Sequence, residues 1–350
     1  MPGRWHPDRH KGAGVGAWQS YRLRLQRKRW RIRAYRKSRE LSPVSLRHDQ
    51  LRPSDIFVFS TQRNEGARLP YFLRYYRDMG VNHFFFVDND STDGSLDYLA
   101  QQKDVSVWTT RASYKRARFG VDWLNYLMLK HAHGHWSLVV DPDELFVYPF
   151  SDTRPLRALT DWLDASSIKS FSAMLLDMYP KGRIDAQPYR PGQNPLEIAS
   201  WFDAGNYTIR RNPRYGNLWI QGGPRARMFF TDQPDRAPAL NKVPLVKWDR
   251  RYAYVSSTHN LLPRGLNLVY DEWGGEKASG VLLHTKFLDT FTVKAQEELD
   301  RKQHYAGSKE YLAYAAGIRD NPELWCKWSE KYINWRQLEI LGLMSKGNWA

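Results

Sequence analysis

Between residues 53 and 150 short apolar runs alternate with segments of helical spacing. IFVFST (56–61), HFFFVD (83–88), VSVW (105–108) and WSLVVD (136–141) are rich in aromatic and β-branched residues and predict buried strands. Between them, 65–79 sets Leu69, Phe72, Leu73 and Tyr76 on one helical face and ends at Gly80. Residues 95–102 and 119–131 predict two more helices. The order β-α-β-α-β-α-β implies an α/β fold with a parallel sheet and helices on both faces. Ligands of such sheets bind at the carboxyl ends of the strands. Beyond Pro149 the pattern loosens. Strands are predicted at 171–179, in YTIRR, LWIQ and ARMFF, and at 253–258 and 280–287, with a Pro- and Gly-rich loop over 180–200. From Thr292 to Trp349 the spacing predicts helix, broken near Asn321-Pro322.

Charge changes this picture at one end. The first 52 residues hold fifteen Lys and Arg against Asp8, Glu40 and Asp49, a net +12 of the chain's +16. The body is therefore nearly balanced, and a protein-wide polyanion surface is excluded. Residues 18–37 place Trp18, Tyr21, Leu25, Ile32 and Tyr35 on a loose helical stripe among basic residues, which suits an anionic membrane face. A solvated arm that only aids solubility accounts for the same residues. No nucleic-acid motif accompanies the arm, and no nucleic-acid partner is expected. The single cysteine, Cys326, excludes an intramolecular disulfide. With no run of some 20 apolar residues and no apolar leader, the expected location is cytoplasmic, peripheral at the inner face of a membrane.

The expected organisation has four parts. They are a basic flexible or membrane-facing arm (1–52), an alternating half (53–150), a less regular half (151–290) and a C-terminal helical segment (291–350). Candidate chemistry gathers at the predicted strand ends. Asp141 and Asp143 of DPDE follow a buried strand, and two hard carboxylates on a short turn suit Mg²⁺ or Mn²⁺ bridging a diphosphate. Asp and Pro also form turns without any metal. Arg63 and Asn64 follow the first strand, where they suit a base or phosphate, and Asn64 equally suits a helix cap. Arg225 and Arg227, two apart, would share one strand face and, with Lys242, suit a phosphate or an acidic sugar.

TQRNE (61–65), FFFVDNDSTDGS (84–95) and LVVDPDELF (138–146), in this order and spacing, resemble the family 2-like glycosyltransferases of the GT-A fold. The similarity is to the subgroup whose metal motif reads Asp-x-Asp-Glu, with the family 92 enzymes among its relatives. It continues in pieces through 175–180, 222–229, 240–248, 257–260 and 282–287 and reaches the C-terminal segment. The resemblance implies a GT-A fold with 53–150 as its nucleotide-sugar-binding half and 151–290 as its acceptor-side half, a nucleotide-sugar donor, a glycan or glycolipid acceptor and inversion by a single displacement. A UDP-linked donor and an acceptor in surface-polysaccharide or lipopolysaccharide assembly accompany that reading. Asp88 would contact the uracil or ribose, and Arg63 and Glu65 would lie against the nucleotide. Asp141 and Asp143 would hold Mn²⁺ or Mg²⁺, with His284 as a third ligand and His259 as its rival. Asn89 stands where the usual motif has a second acid, so the base contact there is an uncharged amide.

The acceptor proton requires a base. Asp177, at the end of an apolar strand, is the first choice, ahead of Glu276, Asp203, Asp271 and Glu272. Two other readings stay open. A nucleotidyltransferase also pairs carboxylates on such a sheet, although TQRNEGARLP lacks its Gly-rich loop. A membrane-tethered binding protein with a decayed site is the second.

Overall fold

A computed structural model describes residues 16–49, 51–269, 277–291, 317 and 321–349. Helix α1 (Ala17–Lys37) leads to strand β1 (Ser42–Ser45). The expected alternation follows as β2 (Phe57–Gln62), α2 (Leu69–Met79), β3 (His83–Asp88), α3 (Ser95–Ala100), β4 (Val105–Thr109), α4 (Val121–His131) and β5 (Trp136–Val139). Then come β6 (Glu144–Val147), α5 (Leu156–Ala165), β7 (Ser170–Asp177), β8 (Trp201–Asp203), β9 (Tyr207–Arg211), β10 (Leu218–Gly222) and α6 (Gly223–Phe229). The last are β11 (Asn241–Lys247), β12 (Ala253–Ser256), β13 (Asn260–Leu262), β14 (Gly280–His284), β15 (Ser329–Lys331) and α7 (Trp335–Ile340).

Nine strands form one sheet in the order β1-β4-β3-β2-β5-β11-β7-β14-β6. The pairings make β2, β3, β4, β5, β7 and β14 run one way, and β1, β11 and β6 the other. The fold is thus α/β, with a mostly parallel, Rossmann-like sheet. Strand β3 shows why the sheet is buried on both faces. Phe84 and Phe86 enter the core under α2, α3 and α5, whereas Phe85 enters the core under α4.

Four expectations meet a different structure. Residues 17–37 are not the flexible alternative of the expected arm but form α1, packed on α4, β12 and β13. ARMFF is helical, not extended: Gly222 turns sharply at φ 141°, where a Cβ would meet the Asn206 carbonyl at 2.1 Å, and Pro224 starts α6. The central strand β11 was not expected, because Pro244 interrupts it; the chain absorbs that proline at a register shift between Lys242 and Leu245. Within 321–349 there is a short strand and only six residues of helix, and most of 292–320 lies outside the described residues.

Candidate functional site

Strand direction decides which side chains meet. The carboxyl ends of β2, β3, β7 and β14 deliver Gln62, Asp88, Asp177 and His284 to one edge, and Asp141 and Asp143 follow β5 there. The reversed strands β6 and β11 begin at the same edge with Glu144 and with Asn241-Lys242. In register, His284 pairs with Glu144 on one side and with Asp177 on the other.

His284 is buried between two carboxylates. Its Nδ1 lies 2.6 Å from Asp177 Oδ1 and its Nε2 lies 3.3 Å from Asp143 Oδ2. Burial alone would lower its pKa, but Asp143 and Asp177 reverse the sign and raise it. For Asp143 burial works upward, yet the facing imidazole holds the carboxyl well below the usual range. The other Asp177 oxygen accepts from Arg225 Nε at 2.7 Å, and the Asp177 side chain is 1% exposed. Both oxygens of the first-choice base are therefore engaged by partners. The structure thus places Asp177 between Arg225 and His284, where it contacts the imidazole ring.

Asp143, Glu144 and His284 bring one potential ligand atom each to within 4.8 Å of one another. Two hard oxygens and an imidazole nitrogen fit Mn²⁺ or Mg²⁺, and the nitrogen favours Mn²⁺. Asp143 and His284 were expected in this set; Glu144 was not. Its signal was its place in DPDE, next to both metal candidates. Glu144 is bonded to Lys242, whose Nζ is also 3.5 Å from Asp141. Burial pushes Glu144 up to about 7 against the pull of Lys242. Lys242 is raised, its burial outweighed by Glu144 and Asp141. Asp141 stands apart from the trio, with 49% of its side chain exposed. A cavity of about 20 Å³, room for a single water, separates Asp141, Glu144 and Lys242 from Thr61 and Thr258.

The nucleotide-side candidates build a turn. Asp88 is fully buried; one oxygen accepts from Gln62 Nε2 and the other from Ser91 N at 3.0 Å. Burial raises its pKa, with the Ser91 bonds opposing. Asn89 donates to the carbonyls of Thr110 at 2.9 Å and Ala112 at 3.1 Å. A carboxylate could make neither bond, which explains the amide at this position. Arg63 donates to the carbonyls of Asn89 and Asp90. Asn64 takes φ 50° and accepts from Thr92 N at 2.8 Å, so it fastens the next turn and does not cap α2. Glu65 lies 3.3 Å from Arg68, which holds the Thr285 carbonyl beside His284 at 2.8 Å.

On the helix α6, Arg225 and Arg227 diverge and meet different acids. Arg227 donates to Asp203 at 2.8 and 3.1 Å, and Tyr179 OH donates to the same carboxylate. His259, half-buried, lies with Nδ1 2.6 Å from the Asn241 carbonyl, and desolvation lowers it to about 4. Glu276, Asp271 and Glu272 lie outside the described residues.

No protein-family model matches the chain, and no curated protein matches it. Solved structures with some likeness include a protein assigned as a glucose-1-phosphate thymidylyltransferase from Bacillus anthracis, in complex with sucrose. It is 11% identical over 73% of this chain and 99% of its own, with a TM-score of 0.32. HddC from Yersinia pseudotuberculosis is 9% identical over 70% of this chain and 99% of its own, with a TM-score of 0.28. Likeness at this level carries no argument about activity.

Proposed function

We propose that the protein is a metal-dependent glycosyltransferase that moves a sugar from a nucleotide-diphosphate donor to a glycan or glycolipid acceptor. The observation that carries the reading is the grouping of Asp143, Glu144 and His284 at the carboxyl edge of a mostly parallel sheet. A divalent ion held there would neutralise charge on the departing diphosphate. Asp177 fixes the His284 ring through Nδ1, and Arg225 fixes Asp177 in turn. Lys242 supplies a second positive charge beside Asp141 and Glu144, where donor phosphates would arrive. Arg63, Asn89 and Asp88 hold the turn that walls the nucleotide side.

In the reaction the acceptor oxygen bonds to the anomeric carbon while the bond from that carbon to the diphosphate breaks. The diphosphate leaves with the electron pair, and the acceptor proton passes to a carboxylate. Asp177 and Asp203 are both bound by arginines, so Glu276 is taken as the candidate base, with Asp271 and Glu272 as its rivals. The test is incubation with a panel of nucleotide sugars and Mn²⁺, with assay of free nucleoside diphosphate. Metal-dependent release of UDP from a UDP-sugar is expected. Release of pyrophosphate from a nucleoside triphosphate and a sugar phosphate, with no diphosphate release, would replace this reading with a nucleotidyltransferase.

A further inference from the structure

Helix α1 is docked by one face and leaves the other bare. Leu23 and Ala34 are buried, Gln26 donates to Tyr215 OH at 2.9 Å, and Arg118 stacks on Trp30 at 3.9 Å. Arg33 reaches the buried Asp122 of α4 at 2.7 Å. The opposite face repeats at helical spacing through residues 18, 21, 22, 25, 28, 29, 32, 35 and 36, all exposed. Along its centre Trp18, Tyr21, Leu25 and Ile32 are between 45% and 70% exposed. Arg22, Arg29 and Arg36 flank this strip on one side and Lys28 and Arg24 on the other. The helix is basic on both faces, and its exposed apolar residues form a narrow strip rather than a broad face. This strip faces solvent. The tip of the β9–β10 hairpin extends the basic surface, with Arg214 donating to Gln26 at 3.0 Å.

We propose that α1 is an in-plane docking helix for an anionic lipid bilayer. Trp18, Tyr21, Leu25 and Ile32 enter the boundary between headgroups and acyl chains, and the flanking cations meet lipid phosphates. Charge selects this occupant. Residues 17–37 contain no acid, so a second copy laid on the same strip would set arginine against arginine. A soluble polyanion would satisfy the cations and leave the apolar strip wet. A bilayer with anionic headgroups offers both partners at once. Among the described residues no helix is long and apolar enough to cross a membrane, so attachment through α1 lies on the surface. The inference goes beyond the catalytic reading and does not depend on it.

Co-sedimentation of the full chain with vesicles tests it. The vesicles are phosphatidylcholine alone, or phosphatidylcholine with phosphatidylglycerol, at low and high salt. The wild type should sediment with the anionic vesicles and lose binding as salt rises. Trp18→Ser/Leu25→Ser/Ile32→Ser and Arg22→Gln/Arg29→Gln/Arg36→Gln alter exposed side chains only and should melt with the wild type. The arginine triple should weaken partitioning by about 100-fold, and the apolar triple should also abolish sedimentation. Equal sedimentation with neutral vesicles, or none with anionic ones, overturns the proposal. So does an apolar triple that binds as the wild type does, which would leave a polyanion surface. A wild-type dimer that the apolar triple dissociates, without vesicle binding, would assign the strip to self-association. Donor turnover without vesicles should be the same in both triples, so failure here is separable from failure of the catalytic reading.

Discussion

At the scale of single residues, the site turns on how Asp177 is held. A carboxylate at the end of an apolar strand looks like a free base in sequence. Arg225 arrives from a helix 48 positions later and His284 from a strand 107 positions later, and no local pattern announces either. The sequence pointed to Asp143 and His284 because DPDE lies on the turn after the apolar strand β5 and His284 ends the apolar strand β14. Asp177→Asn separates the two roles. If Asp177 orients His284, Mn²⁺ affinity should fall by about 10–100-fold, while UDP binding in chelator stays unchanged. If Asp177 were the base, turnover would fall with Mn²⁺ affinity intact. Calorimetric titration of Mn²⁺ distinguishes the two. Asn89 allows a second prediction. Asn89→Asp would set a carboxylate against the carbonyls of Thr110 and Ala112, and should destabilise the fold by about 1–3 kcal/mol in urea unfolding. Unchanged stability would mean that these bonds do not hold the loop after β4.

At the scale of elements, the four predicted strands and three helices of 53–150 were legible because both faces of each central strand are apolar. The second half was less so, for identifiable reasons. Pro244 disguised β11, and two arginines at alternate positions imitated a strand face in what is α6. The Gly222-Gly223-Pro224 start is the local signal for that helix. The clamp between α1 and α4 was also invisible, because Asp122 receives Arg118 from four residues away and Arg33 from 89 away. Asp122→Ala removes the shared carboxylate and leaves two guanidiniums facing each other. Breaking a buried pair costs about 3–5 kcal/mol; Arg33 is partly exposed and solvent-screened, so about 3 kcal/mol is expected. Urea unfolding of this variant measures it, and a loss below about 1 kcal/mol would mean that α1 is held by its other contacts, Gln26–Tyr215 and Trp30–Arg118 among them.

At the scale of the whole molecule, the sequence located the basicity in the first 52 residues but not its placement, since which face of α1 docks depends on α4 and β12. A histidine-aromatic cluster around Phe85 and Trp108 contributes a pH dependence to stability. Burial lowers His83 to about 4 and His131 to about 3. In the unfolded chain both titrate near 6.5. Below that pH the unfolded chain binds protons that the folded protein refuses. Stability should therefore fall as pH drops from about 6.5 toward about 4, and a His131→Gln variant should show a shallower loss between pH 7 and 5 in urea midpoints. An identical slope would remove His131 from the account. The central claim is the metal-bridged site, and calorimetric titration of UDP tests it most directly, in Mn²⁺ and in chelator, with wild type, Asp143→Ala and His284→Ala. The account predicts tight UDP binding by the wild type in Mn²⁺ only, with most of that metal dependence lost in Asp143→Ala and a smaller loss in His284→Ala. Equal UDP binding by the wild type in Mn²⁺ and in chelator, unaltered in Asp143→Ala, would contradict it.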